Sequence, residues 1–254
     1  MQSEKLFLRD IESSYATKFT ASVIETTEQS VSLDRTLFYP LGGGQLADTG
    51  MIEGPNGQLR VEQVTGRNLI EHFVGPDHQL EVGDEVRGEI DWQRRYEHMR
   101  MHTAQHLVSG IVYEEFDGAR TVGNQINAEK SRIDFNPISF DDEKLELVKQ
   151  KFAEIIAGNE KVEQVTMSRD EINAIMPPER TNMDLLPSSV KQLRVIKIGD
   201  NLDLCPCAGT HISSLSELGE LTWLGKKSKG KGTQRVTYSL AKGLAERSPT
   251  DVIL

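Results

Sequence analysis

Cysteine is scarce: the 254 residues hold two, Cys205 and Cys207, one residue apart. Two thiols that close cannot staple a fold of this length, so a disulfide framework is excluded, and a reducing compartment fits metal binding better. No stretch approaches the roughly 20 apolar residues of a membrane span. The opening Met1-Gln2-Ser3-Glu4-Lys5 carries no signal-peptide hydrophobic region. A cytoplasmic protein without a membrane partner is therefore expected. Positive charge is also in deficit, with 29 Lys and Arg against 39 Asp and Glu and a net charge of −10. That argues against a generally basic nucleic-acid coat; a nucleic-acid partner would need a local basic patch. There is no low-complexity tract and no internal repeat, and the length suffices for one large or two ordinary domains with real cores.

What is present divides near residue 91. Before it, short alternating runs such as Lys5–Leu8, Phe19–Ile24, Ser30–Leu33, Gln58–Val64, Leu69–Val74 and Glu85–Ile90 read as β-strands. Gly54-Pro55-Asn56-Gly57, Gly75-Pro76-Asp77 and Gly83-Asp84 punctuate them as turns. A small all-β barrel over residues 1–91 is expected. Within it lies Phe38-Tyr39-Pro40-Leu41-Gly42-Gly43-Gly44-Gln45. Adjacent glycines allow positive φ and close backbone approach by another molecule, and they equally suit a wide turn. No Lys-Ser/Thr follows, so this is not a phosphate-binding P-loop.

From Trp92 the hydrophobic period becomes helical, with Asp91 as N-cap. Residues 92–254 are expected to form an α+β domain with an antiparallel sheet: a hairpin over Arg120–Phe135, a helix over Asp141–Ala157, a strand at Val162–Met167, a capping box at Ser168–Glu171 and closing strands at Leu218–Leu224 and Arg235–Leu240. The first helix holds His102-Thr103-Ala104-Gln105-His106. Four residues of helix advance about 400°, so both imidazoles project from nearly one face, a turn apart. Packing alone also accounts for such a pair, and His98 one turn earlier is a rival. Cys207-Ala208-Gly209-Thr210-His211 offers a thiolate and a third imidazole. Three imidazoles and a thiolate suit tetrahedral zinc. Between the last strands, Lys226, Lys227, Lys229, Lys231 and Arg235 fall in one glycine-spaced loop without an acid. Such a loop is either a solvated turn or, on an acidic protein, a place where a phosphate backbone docks.

In this order and spacing the motifs resemble the HxxxH…CxxxH editing domains of alanyl-tRNA synthetase and their freestanding relatives, the AlaX proteins. The resemblance extends through Gly123-Asn124-Gln125-Ile126, Arg132-Ile133-Asp134-Phe135, Ser228-Lys229-Gly230-Lys231-Gly232 and the glycine-rich segment Phe38–Gln45, which covers nearly the whole chain. The chain starts at the β-domain, leaving no room for an aminoacylation core, and ends soon after the last strand; both point to the medium-length AlaX class. Ala208 stands where the family's CGGTH has glycine, and Cys205 is an extra potential ligand.

The resemblance implies a trans-editing hydrolase that deacylates mischarged tRNA(Ala), carrying serine or glycine, as a monomer with one zinc ion held by His102, His106, Cys207 and His211. Thr103, next to a ligand, is the candidate for reading the serine hydroxyl or placing water; Thr121, Asn124 and Gln125 are further pocket candidates. Lys226, Lys227, Lys229, Lys231 and Arg235 would hold tRNA phosphates, and Gly42, Gly43, Gly44 and Gln45 would position the acceptor end. Four protein ligands are also what a structural zinc uses. A zinc-stabilised tRNA-binding module without hydrolytic activity, and a metallohydrolase of small esters, are the competing readings.

Overall fold

The computed structural model describes the chain apart from Asn182, Asp184, Leu185, Pro187, Ser188, Ser189, Asn201 and Leu244. It divides into two compact units, Met1–Met99 with Arg247–Leu254, and Arg100–Glu246.

Unit 1 is built on one large sheet. The unit's strands are β1 (Glu4–Lys5), β2 (Ala16–Thr26), β3 (Ser30–Leu33), β4 (Arg35–Thr36), β5 (Gly50–Gly54), β6 (Gly57–Val61), β7 (Gln63–Thr65), β8 (Glu71–Phe73) and β9 (Glu85–Ile90), of which β1 and β4 form a separate parallel pair. The ladder runs β6-β5-β9-β2-β3-β8-β7, and the C-terminal strand over Thr250–Ile253 pairs in parallel with β2. Alternation is clean in β9, where Val86, Gly88 and Ile90 turn inward and Glu85, Arg87 and Glu89 turn out. Leu6, Phe19, Val31, Leu33, Leu37, Phe38, Ile52, Val61, Val64 and Ile70 form the core.

A closed barrel does not form. The path ends at β6 and β7, which follow each other through Glu62 and are not paired to one another among the described residues. Alternation reveals which runs are strands and which face is buried, but not whether the two outermost strands meet. The expected first strand, Lys5–Leu8, is also mostly a 3-10 turn over Leu6–Leu8.

The glycine-rich segment is a tight turn in this unit. Gly42 and Gln45 exchange backbone hydrogen bonds across Gly43 (φ 58°) and Gly44 (φ 84°), conformations that favour glycine. The Tyr39 hydroxyl donates to the Gly42 carbonyl at 2.8 Å, and the Tyr39 N–H donates to Asp48 Oδ2 at 2.7 Å. Asp48 is in turn paired with Arg95, both side chains being fully buried.

Unit 2 begins within helix α1 (Trp92–Glu115), whose first residues belong to unit 1. It continues with β10 (Arg120–Gln125), β11 (Ser131–Asn136), α2 (Asp142–Ala157), β12 (Val162–Ser168), α3 (Arg169–Ile175), β13 (Gln192–Ile198), β14 (Asp203–Pro206), β15 (Leu221–Gly230) and β16 (Thr233–Leu240). Two antiparallel sheets result, β10-β11-β16-β15 and β12-β13-β14. Asp141 caps α2 by accepting the Lys144 N–H, and Ser168 with Glu171 forms the capping box of α3. The mixed α/β class with antiparallel sheets is as the sequence pattern indicates. The basic segment is not a loop: β15 runs through it to Gly230, leaving Lys231 and Gly232 as the turn. No helix among the described residues is long and apolar enough to cross a membrane.

His72 gives unit 1 a defined pH response. It is fully buried, with Nε2 2.8 Å from Thr36 Oγ1 and Nδ1 3.1 Å from the Val31 carbonyl oxygen, and burial pushes its pKa down to about 4. The unfolded imidazole takes a proton below about pH 6.5 while the folded one stays neutral to about pH 4, so stability falls as pH drops through that window. At about 1.36 kcal/mol per pKa unit the loss is of the order of 3 kcal/mol. Urea unfolding between pH 7 and 4 is expected to show this slope in the wild type and a flatter one in His72→Gln, whatever that variant's absolute stability.

Candidate metal centre and its polar surround

Helix α1 is buried on almost every side from Arg95 to Val112, so its polar side chains need partners inside the protein. His102 and His106 stand one turn apart, with ring centroids 5.3 Å from each other. The segment following β14 brings Cys207 and His211 to them: His211 lies 4.4 Å from His102 and 4.7 Å from His106, centroid to centroid. One ligand atom from each of His102, His106, Cys207 and His211 falls within 4.8 Å of the others.

The spacing fits a metal ion. Zn–S of about 2.3 Å and Zn–N of about 2.0–2.1 Å in a tetrahedron separate sulfur from nitrogen by about 3.6 Å. Cys207 Sγ lies 3.6 Å from His102 Nε2 and 3.3 Å from His211 Nε2. Protonation fits as well. Burial alone would raise the Cys207 thiol, but the His102 and His211 imidazoles hold it well below its usual range, as a thiolate. Burial, then the nearby His102, hold His211 well below the usual imidazole range, as a neutral ring. Those are the forms that bind metal. His106 differs: burial works against its charge, yet hydrogen bonds with Asp203 and Cys207 outweigh it and lift the pKa to about 10.

Two ligand rings are oriented through their far nitrogens. His106 Nδ1 donates to Asp203 Oδ2 at 2.8 Å, which directs Nε2 toward the cluster. His211 Nδ1 lies 3.1 Å from Thr103 Oγ1, which also accepts the Ile212 N–H at 3.4 Å. Thr103 is fully buried. Its hydroxyl therefore lies in the interior, between His211 Nδ1 and the Ile212 N–H. Sequence reading missed Asp203, although a carboxylate four residues before a candidate cysteine ligand is a usable signal. Cys205 is not among the converging ligand atoms, and burial pushes its thiol up.

Beside the histidine stripe, α1 meets β10 in a polar network. Gln105 Nε2 donates to Ser109 Oγ at 2.8 Å, Ser109 Oγ lies 2.7 Å from Thr121 Oγ1, and Asn124 Nδ2 donates to Gln105 Oε1 at 3.4 Å. Gln105 and Ser109 were not legible as site residues, though the 102, 105, 106, 109 spacing puts them on one helix face. Thr121 and Asn124 belong to this network. Gln125 does not: alternation turns it to the opposite sheet face, where Arg132 Nε donates to its Oε1 at 3.0 Å. His98 is likewise outside the converging set.

That opposite face collects the basic residues. Register places Arg132 beside Gln125 and Thr237, Asp134 beside Gly123 and Arg235, and Arg235 beside Lys227. Arg120, at the start of β10, pairs with Asn136 on the same face. Arg235 is held there by Asp134 at 2.6 and 2.7 Å, whereas Lys226, beside the buried Val236, falls on the other face and is paired with Asp142 at 2.8 Å. Lys227, Lys229 and Lys231 are exposed. In unit 1, Gly42 and Gly43 are exposed, Gly44 is half-buried and Gln45 is fully buried.

Residues 9–94 match the family of class II (A) tRNA synthetases, and residues 193–237 match the second additional domain of threonyl and alanyl tRNA synthetases. The alanyl-tRNA editing protein AlaX-M of Methanosarcina mazei is 34% identical over 94% of this chain and 96% of its own length. That of Saccharolobus solfataricus is 34% identical over 94% of this chain and 99% of its own. Alanine–tRNA ligase of Sulfurisphaera tokodaii is 30% identical over 93% of this chain, but over only 26% of the ligase. With this identity spread over nearly the full length of the freestanding relatives, the chain belongs to the AlaX-M family of alanyl-tRNA editing proteins.

Proposed function

We propose that this chain is a trans-editing aminoacyl-tRNA deacylase that hydrolyses the ester of mischarged tRNA(Ala), with serine as the preferred wrong amino acid and glycine the second. The observation that carries the reading is the convergence of His102, His106, Cys207 and His211 next to the Gln105–Ser109–Thr121–Asn124 network, in a chain with full-length AlaX-M relatives. One zinc ion per chain would be held by those four ligands and would supply positive charge near the ester carbonyl and the substrate's amino group.

The chain's own residues do the rest. Thr103 and Asp203 fix the imidazoles of His211 and His106. Gln105, Thr121 and Asn124 supply the donors and acceptors that place water and the substrate's hydroxyl. The ester is already activated, so positioning is the main demand. A pocket built to hydrogen-bond a hydroxyl also rejects alanine, because its polar groups are left unpaired when the hydroxyl is missing. The basic sheet face, led by Lys227, Lys229 and Lys231 with Arg235 contributing from its ion pair, would carry tRNA phosphates, and Lys226 would add its charge from the strand's other face. The Gly42–Gly44 backbone, exposed at Gly42 and Gly43, would meet the acceptor end, with Gln45 shaping that turn from within. A cytoplasmic monomer of two domains is the working form.

The deciding measurement is deacylation of Ser-tRNA(Ala) against Ala-tRNA(Ala). Wild type is expected to favour the seryl ester by a factor of the order of 10⁴, and Cys207→Ala to lose the activity. Binding of the tRNA with both esters left intact would instead show a binding module. Thr103→Val is expected to weaken zinc binding by about 10–100-fold while the metal-loaded protein keeps its serine-over-alanine ratio. A collapsed ratio with unchanged zinc affinity would restore Thr103 as the residue that reads the hydroxyl. For the basic face, the double variant Lys227→Ala, Lys229→Ala is expected to lower tRNA affinity and flatten its salt dependence by about one logarithmic unit per lysine; an unchanged slope would remove both from the interface.

A further inference from the structure

Arg180 lies far in sequence from every candidate ligand, yet its guanidinium reaches the buried side of the metal centre. Nη2 donates to the Leu202 carbonyl at 2.8 Å and stands 3.7 Å from Asp203 Oδ1. Nη1 donates to Glu114 Oε1 at 2.9 Å and contacts Met176 Sδ at 3.2 Å, and the group lies over the Tyr113 ring at 5.5 Å. The other oxygen of Asp203, Oδ2, accepts from His106 Nδ1 at 2.8 Å. The three side chains are 9%, 8% and 5% exposed.

Helix α1 is shaped to admit this arginine. Gly110 lies mid-helix, where glycine ordinarily costs stability relative to alanine. A Cβ there would lie 2.8 Å from Arg180 Nη2 and 3.2 Å from the Leu202 carbonyl oxygen. The missing methyl group is the space the guanidinium occupies.

We propose that Arg180 is a positioning residue for the metal ligand His106, acting through Asp203 in a slot that Gly110 keeps open on α1. The inference rests on the metal-binding reading of the four-residue cluster. Its physical basis is charge and direction. Asp203 is a buried acidic side chain, and such a group in the interior needs a cationic partner. Arg180 supplies one on the oxygen that His106 does not use. With the guanidinium charge 3.7 Å from Oδ1, the carboxyl group is oriented so that Oδ2 stays on Nδ1 and the ring keeps Nε2 toward the other ligands. Outer partners of this kind typically change metal affinity without touching the metal.

Zinc affinity of the full chain, measured by competition with a chromophoric chelator, tests this in wild type, Arg180→Gln, Asp203→Asn and the double variant. Arg180→Gln is expected to weaken zinc binding about tenfold, and Arg180→Lys to stay within about threefold of wild type. Because Arg180 acts through Asp203, the double variant is expected to bind no more weakly than Asp203→Asn alone. Gly110→Ala is expected to weaken zinc binding as Arg180→Gln does, although alanine is the better helix former. Wild-type affinity in Arg180→Gln, or a loss that adds in full to that of Asp203→Asn, overturns the proposal and leaves the metal centre standing. A wild type that takes up no zinc overturns the metal reading, and the proposal with it.

Discussion

A helix buried on nearly every face that nonetheless carries arginines, histidines, a glutamine and a threonine imposes the constraint from which the rest follows. A buried polar group left unpaired costs about 1–3 kcal/mol, and a charged one more. Each such residue on α1 therefore dictates something about the chain around it. Arg95 requires Asp48 and the carbonyls of Ser14 and Leu37 in unit 1. In unit 2, Arg100 requires the Glu217 and Ala241 carbonyls, Thr103 meets His211, and His106 meets Asp203. The net gain from such pairs is small, since each replaces hydration. Their effect is on specificity: other packings would strand a polar group, so the helix has one acceptable setting, and the histidines are placed with it.

The two units use this constraint differently. In unit 1 the Arg95–Asp48 pair reaches the glycine-rich turn, because Asp48 also accepts the Tyr39 N–H and Tyr39 holds the Gly42 carbonyl. The turn's shape is thereby tied to a buried ion pair, and Gly43 and Gly44 are explained by their positive φ alone. Removing one partner of such a pair would leave an uncompensated buried charge. In unit 2 the partners converge on the metal cluster and on the network shared with β10.

Much of this was legible in the sequence, for reasons that also mark where legibility stops. The i,i+4 histidines and the Cys-x-x-x-His segment are local spacings, and chain geometry converts them into proximity. Helix α2, the capping box at Ser168 and the β10–β11 hairpin are local for the same reason. Gln125 shows the limit: it adjoins Asn124, but a period of two sends neighbours to opposite faces, and only the ladder register says which is inward. The basic segment looked like a loop because Gly225, Gly230 and Gly232 read as breakers, whereas pairing with β16 extends the strand past the first of them. The open end of the unit 1 sheet, the Asp203–His106 contact and the Arg180 approach are long-range events with no periodic trace. Gly110, within a helix, finds its reason only in the arginine packed against it.

Four protein ligands around one centre bear on where selectivity is located. A set of three imidazoles and a thiolate closes a tetrahedron, the arrangement typical of metal sites that hold shape. The residues available to tell a hydroxyl from its absence are then those of the adjoining network. Gln105 spans that network, bonded to Ser109 on its own helix and to Asn124 on β10. It also lies between the two histidine ligands in sequence, so any shift of the metal cluster is passed to the network through one turn of rigid helix. Thr121 is reached by the same route through Ser109. The candidate metal cluster and the network therefore share one helix. On the proposed reading, this sharing would let a substrate that differs by a single hydroxyl change the placement of the ester as well as the strength of binding.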